Sequence, residues 1–366
     1  MKKLLIFLCV LLTLPLPAAA PGGDLSTADL LKSADSVIER TSHRKADFDV
    51  VVFFDVLAPD AVACLTMLDA LPDIFPGKKI NVAAVARNDG KMVRETLSRF
   101  RPEYLSVYAE NAEKTVFRTY AKNEVLIPLA MVVQNGKVSW KGAPAELESV
   151  LERMVAGKFS FAGQVQIDIL RRDLQSAIQA GLPEVILKSA DKILAIAPAD
   201  SIAIQAKLYV FDGRQRPDLA KAFLLERVKK TPGDVKLRLL LLNTLISMND
   251  HSGFRSAVID AMKASYAGGD PMRILAFALD SAPFGWLPLA EMNEAAKSVC
   301  APAQAGTNRR EILRLEILAR LACLSMDIDE AIRLQAQAAD RPGGGNAKFM
   351  LDYYKSVKAL KARPAK

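Results

Sequence analysis

Five consecutive β-branched or aromatic residues, Val50-Val51-Val52-Phe53-Phe54, constrain this chain more than any other feature. A strand that is apolar at every position has no face to offer water. It must lie inside a sheet covered on both sides, as parallel strands of α/β domains do. The residues that follow extend this pattern. Ala61, Cys64, Leu65 and Leu68 fall at helical spacing and give a helix from about Asp60 to Leu71. Ile80 to Ala86 reads as a second strand, and Lys91 to Arg99 as a second helix begun by Asp89-Gly90. A weaker strand near Leu105–Ala109 leads to a helix around Glu113–Tyr120. Asn135-Gly136 then separates Ala130–Val133 from Lys137–Trp140, the mark of a two-residue type I′ hairpin. A last helix runs from Ala145 to Ala156 and stops at Gly157. Upstream, Ser26 caps a helix expected over Thr27–Arg40, with Leu30, Leu31, Ala34, Val37 and Ile38 on one face.

The order over residues 47–158 is therefore β-α-β-α-β-α-β-β-α. This order resembles a thioredoxin fold, and in particular the TlpA-like branch of the redoxin family of exported thiol-disulfide proteins. The resemblance is carried by Phe53-Phe54-Asp55-Val56-Leu57-Ala58-Pro59-Asp60-Ala61, by Ile127-Pro128 with Gln134-Asn135-Gly136-Lys137, and by Trp140-Lys141-Gly142-Ala143-Pro144. Such proteins place Cys-x-x-Cys at a helix N-terminus, where the dipole favours the attacking thiolate and the second thiol resolves the mixed disulfide. Here the two cysteines are replaced by Ala58 and Ala61, with Pro59 and Asp60 between them. Alanine has no sulfur, and Asp60 would set a negative charge where a thiolate must form. The resemblance thus implies a domain without dithiol chemistry. Cys64, one turn on, reads as a small apolar residue of the helix's inner face. The alternative is a lone reactive thiol, which could not turn over without a resolving partner. The resemblance also implies that Pro128 is cis and that the backbone at Ile127 pairs with an extended peptide. A strand-opening proline without a ligand is the plainer alternative.

Beyond the join at Phe159–Gln164, residues 159–366 show helical periodicity and no convincing strand. Ala197-Pro198-Ala199-Asp200 recurs as Thr231-Pro232-Gly233-Asp234, 34 residues later, the tetratricopeptide period. Asp270 suggests a further unit. Ser201–Phe211 and Leu219–Lys230 form one helical pair, and Ile312–Leu324 and Ile328–Ala339 another, with Ser325-Met326 where such repeats often carry glycine. The leucine-rich run Leu237–Leu245 is apolar nearly all round, as an interior helix of a stack would be. The reading is an α/β thioredoxin-like domain followed by an all-α, tetratricopeptide-like helical-repeat domain, with an irregular bundle as the alternative.

The first twenty residues set the expected compartment. Met1-Lys2-Lys3 is a cationic start, Leu4–Leu14 is apolar apart from Thr13, and Ala18-Ala19-Ala20 offers small residues to a signal peptidase. The apolar core, about 11 residues, is short of the roughly 20 that span a bilayer. The expected organisation is a signal peptide over 1–20, a linker and helix over 21–46, then the two domains, in a protein that is periplasmic or secreted and not inserted in the membrane after cleavage. Removing the signal leaves Cys64, Cys300 and Cys323, too few and too odd for a disulfide scaffold. Cys323 should sit about 15 residues along a helix antiparallel to the one ending at Cys300. That is roughly 22 Å from the helix start at 1.5 Å per residue, against about 6 Å between bridged α-carbons.

Other chemistry finds no purchase. The net charge of +8 includes Lys2 and Lys3 and the terminal Lys355–Lys366 stretch, and no basic stripe is interleaved with aromatics, so nucleic acid is not an expected partner. His43 and His251 stand apart without motifs, and no metal-ligand spacing, phosphate loop or nucleophile elbow occurs. No cofactor or metal is expected. The function that emerges is a non-catalytic module binding a protein or peptide. The runner-up is a thiol-disulfide oxidoreductase or thiol sensor using Cys64 or the Cys300/Cys323 pair.

Overall fold

The computed structural model describes residues 27–40, 45–75, 77–110, 117, 127–263, 271–283, 285–300, 308–341, 344 and 347–361. The expected signal peptide, Ser26, His43, the helix around Glu113–Tyr120 (Phe117 apart) and Asp270 lie outside these residues. The chain divides into two compact units, Met1–Arg214 and Gln215–Lys366. No described helix is long and apolar enough to cross a membrane.

The first unit is built on a six-stranded mixed sheet: β1 (Asp35–Ile38), β2 (Phe48–Phe54), β3 (Ile80–Ala86), β4 (Ser106–Ala109), β5 (Leu129–Gln134) and β6 (Lys137–Gly142), in the order β1-β4-β3-β2-β5-β6. β2, β3 and β4 are parallel, while β5 pairs antiparallel with β2, and β6 with β5. Sequence alternation explains why β2 is central. Phe48, Val50, Val52 and Phe54 enter the apolar cluster on one face, and Val51 and Phe53 the cluster on the other. The hairpin turns on Asn135 (φ 50°) and Gly136 (φ 75°), with Gln134 opposite Lys137, as a two-residue turn with both central φ positive requires. β6 keeps its ring close: a Cβ at Gly142 would lie 2.4 Å from Cζ2 of Trp140.

Helices flank the sheet in sequence as α1 (Thr27–Lys32), α2 (Ala61–Asp69), α3 (Leu71–Ile74), α4 (Gly90–Thr96) and α5 (Leu147–Val155), the last preceded by a 3-10 turn at Pro144–Glu146. One expectation fails here. The helix anticipated to Arg40 ends at Lys32, and Asp35–Ile38 joins the sheet as β1, antiparallel to β4. Ser33 ends the helix by donating both its backbone N–H and its hydroxyl to the Leu30 carbonyl, at 3.1 Å each. So short a helix has little stability of its own. The unpaired edge of β4 offers Asp35, Ser36 and Ile38 a ladder instead, with an irregularity at Val37, and the Arg40 N–H extends it to Ser106 Oγ at 3.0 Å.

Three longer helices complete the first unit: α6 (Phe161–Gln179), α7 (Pro183–Ile196) and α8 (Ser201–Gly213). Their tie to the sheet layer is polar and buried. Arg171 of α6 bonds Glu146 of the 3-10 turn through Nη1, and Asp200 through Nη2 at 2.6 Å. Beside it, Arg153 of α5 donates to Gln164 Oε1 at 2.6 Å, and Gln164 donates to Asp168 at 2.8 Å. Burial of Glu146 outweighs the pull of Arg171 and pushes its carboxyl above the ordinary range.

The second unit is helical throughout its described residues: α9 (Pro217–Lys230), α10 (Val235–Ser247), α11 (His251–Lys263), α12 (Pro271–Ser281), α13 (Leu289–Val299), α14 (Asn308–Leu324), α15 (Ile328–Ala339) and α16 (Ala347–Lys361). Helices pack on their neighbours and, in the pairs α10–α12, α11–α13, α12–α14 and α14–α16, on the next but one. α10 buries Leu237, Leu241, Leu242 and Leu245, the interior role its sequence implies.

Candidate functional site

The turn joining β2 to α2 carries the residues singled out by sequence, Ala58, Pro59, Asp60 and Ala61. Hydrogen bonds hold it throughout. Asp55 accepts from Leu57 N–H through its side chain (2.9 Å) and from Ala58 N–H through its carbonyl (3.1 Å). Asn88, beyond β3, accepts from Val56 N–H at 2.9 Å, and the Ala58 carbonyl accepts from Ala61 N–H at 3.0 Å. Asp60 occupies the N-cap of α2 without a side-chain capping bond. Ala58 is half-buried, Pro59 and Asp60 are exposed, and Ala61 is buried. The held turn presents two apolar side chains to solvent, Leu57 (63% exposed) and Val62 (51%). Sequence reasoning passed over both, because their positions look like ordinary members of an apolar segment.

The Ile127–Pro128 peptide bond is cis. Leu129 pairs with Phe53, so Pro128, one residue earlier, enters the sheet at the C-terminal end of β2, where the turn begins. Ala58, Cys64 and Ile127 all pack against the same apolar cluster.

Cys64 lies in α2 with its N–H on the Asp60 carbonyl at 2.9 Å. Burial, with the Asp60 carboxylate adding to it, pushes the thiol up to about 12. At neutral pH this sulfur is a protonated, weakly nucleophilic group. Cys300 is buried just past α13, and Cys323 is half-buried in the last turn of α14; neither is disulfide-bonded. No group of three or more His, Cys, Asp or Glu side chains suited to a metal ion occurs among the described residues.

The helical half carries a second regularity. Asp200 and Asp234 both cap helices, accepting from the N–H three residues on, Ala203 at 2.9 Å and Leu237 at 3.0 Å. The turns before Pro183, Pro217 and His251 hold Gly181, Gln215 and Asn249, 34 residues apart, in left-handed conformation (φ 62°, 53° and 54°). Sequence reasoning found the aspartates and missed these turns, since glycine, glutamine and asparagine share no obvious signature; Pro183 and Pro217, each opening the next helix, were the available signal. The recurrence of left-handed turns thus starts just after α6. No family model, curated protein or solved structure matches the chain.

Proposed function

We propose that this is an exported, redox-inactive thioredoxin-like protein that binds a protein or peptide partner through a tetratricopeptide-like helical array. The observation that carries this reading is Ala58 and Ala61 at the β2–α2 turn. A half-exposed first position, a buried second one and a cis proline at the end of the neighbouring strand make the frame of a dithiol site, and no sulfur stands on it. Parallel β2–β4, the β5–β6 hairpin and the closing α5 support the thioredoxin-like part of the reading. The 34-residue recurrence of caps and turns supports the array. The oxidoreductase or thiol-sensor alternative would have to run on Cys64, whose proton is tightly held, or on Cys300 and Cys323, which are not disulfide-bonded.

The array offers a face for a partner. End repeats of soluble stacks normally turn a polar side outward. α16 instead exposes Phe349 (77%), Tyr353 (53%) and Leu360 (61%), which fall on one side of the helix. That pattern of anchors is how a helix engages a hydrophobic groove. The test is a pull-down from the native envelope with the mature protein and with a Phe349→Ser/Tyr353→Ser variant, alongside an insulin-reduction assay driven by dithiothreitol. A partner captured by the first and lost by the second at equal melting temperature, with insulin turnover no faster than the dithiothreitol blank, is the expected result. Turnover abolished by Cys64→Ser would replace this reading with the oxidoreductase one.

A further inference from the structure

On the far edge of the sheet, β1 and α4 enclose a groove of about 190 Å³. Val37 and Ile38 of β1, with Leu97 and Phe100 after α4, make an apolar floor, and Arg40, Arg94 and Arg101 make the rim. We propose that this groove binds a carboxylate carried on a short apolar body.

Three arginines line one small cavity, and the lining contains no acid beside them. Two of the three are held in place by neutral acceptors. Arg40 Nε donates to the Pro102 carbonyl at 2.8 Å, and Arg101 Nη1 to the carbonyls of Ser98 (2.6 Å) and Phe100 (3.0 Å). These bonds to carbonyls fix orientation without neutralising either charge, and a guanidinium has five N–H donors, more than these bonds use among the described residues. Arg94 lies back over the start of its own helix, its Nη2 3.2 Å from where a Gly90 Cβ would be, with no ion pair among the described residues. Capping the end of α4 explains Arg101 alone. It does not explain why Arg40 and Arg94 line the same apolar cavity.

The rest of the site narrows the ligand. A planar guanidinium fork matches a carboxylate in two parallel hydrogen bonds. Arg94 lies in the C-terminal half of α4 and Leu97 just past its end, where the helix's partial negative charge opposes a phosphate dianion more than a monoanion. The cavity is well below the roughly 300–1,000 Å³ of sites that enclose drug-sized molecules. It suits one anionic group and about one aliphatic side chain. A free short-chain acid and a peptide C-terminus ending in an apolar residue share that chemistry.

The test uses the mature full-length protein and amide chemical shifts at Val37, Ile38 and Leu97. The probes are hexanoate, neutral hexanol, and a hexapeptide ending in leucine with its C-terminus free or amidated. Saturable shifts are expected with hexanoate or the free-acid peptide, and none with hexanol or the amide. Which of the two acids binds tells the free acid from the chain end. Arg94→Glu, which breaks no hydrogen bond of the fold, should weaken binding about tenfold or more while the melting temperature stays put. Arg101→Glu should act likewise. Absence of saturation with both acids, equal response to hexanol, or unchanged binding in both variants would overturn the proposal.

Discussion

Cys64 shows how a single environment decides between reactivity and packing. Its sulfur sits in the apolar layer beneath α2, with the Asp60 carboxylate one turn back, and both favour the thiol over the thiolate. In the fold the proton is held to about 12; in the unfolded chain it leaves near 9. The folded value is the higher one, so this group's contribution to stability is whole below about pH 9 and is lost as the pH rises through the folded value. Alkylation reads the same property. At pH 8 the thiolate is about a thousandfold scarcer than in an unfolded peptide. Iodoacetamide labelling of Cys64, followed by peptide mass spectrometry, should therefore be slow in the native protein and should climb about tenfold per pH unit up to pH 10. A rate that levels off near pH 8 would mark an activated thiol. Asp69 makes the opposite point at the far end of α2. Its buried carboxylate accepts from the backbone N–H groups of Glu103, Tyr104 and Leu105, at 2.8–3.1 Å, and so fixes the entry to β4. Nothing in the sequence near residue 69 announces that duty.

At the scale of elements, legibility follows the range of the interactions involved. The strand Ile80–Ala86, the Asn135-Gly136 hairpin and the helix Ile328–Ala339 were readable because local pattern and turn chemistry settle them. β1 was not, because its state depends on an edge of β4 nearly seventy residues away. The same holds for the exposed Leu57 and Val62 and for the arginine groove, whose members come from separate segments. Met326 lies between these cases. It sits in the turn between α14 and α15 where the sequence suggested a missing glycine, and its φ of 69° is the left-handed conformation that glycine takes without strain. An L side chain there costs about 1 kcal/mol, and the exposed methionine gains little burial in return. Met326→Gly should raise the unfolding free energy by up to about 0.5 kcal/mol in urea titration, allowing for the added freedom of glycine in the unfolded chain. A loss of similar size would mean that the methionine side chain contributes packing that its exposure does not reveal.

For the molecule as a whole, the question is where a cooperative unit ends. The boundary expected from sequence lay after Lys158, where strands give way to helices. The compact unit that holds the sheet runs on to Arg214, and the charges around Arg171 supply a physical reason. Arg171, Glu146 and Asp200 are 4%, 8% and 1% exposed at their side chains, and Asp200 also caps α8. Three elements are tied by one guanidinium. Removing a partner from a buried ion pair costs about 3–5 kcal/mol, because the remaining charge has neither water nor counterion; here two carboxylates would be stranded together. A fragment of residues 21–214 has Trp140 as its single tryptophan, which reports on the sheet, while far-ultraviolet ellipticity reports mostly on the helices. The two melting curves should coincide in the parent fragment. In Arg171→Met they should fall by an amount equivalent to about 3–5 kcal/mol. The deficit should shrink in acid. Glu146 is raised in the fold, so its contribution is whole below the unfolded value near 4.5 and is lost as the pH rises through the folded one. Without Arg171 its pKa rises further, and protonation relieves the stranded charge. A deficit that stays constant from pH 7 down to pH 4 would show that Arg171 acts by packing alone. Separate transitions already present in the parent fragment would place the boundary back at Lys158.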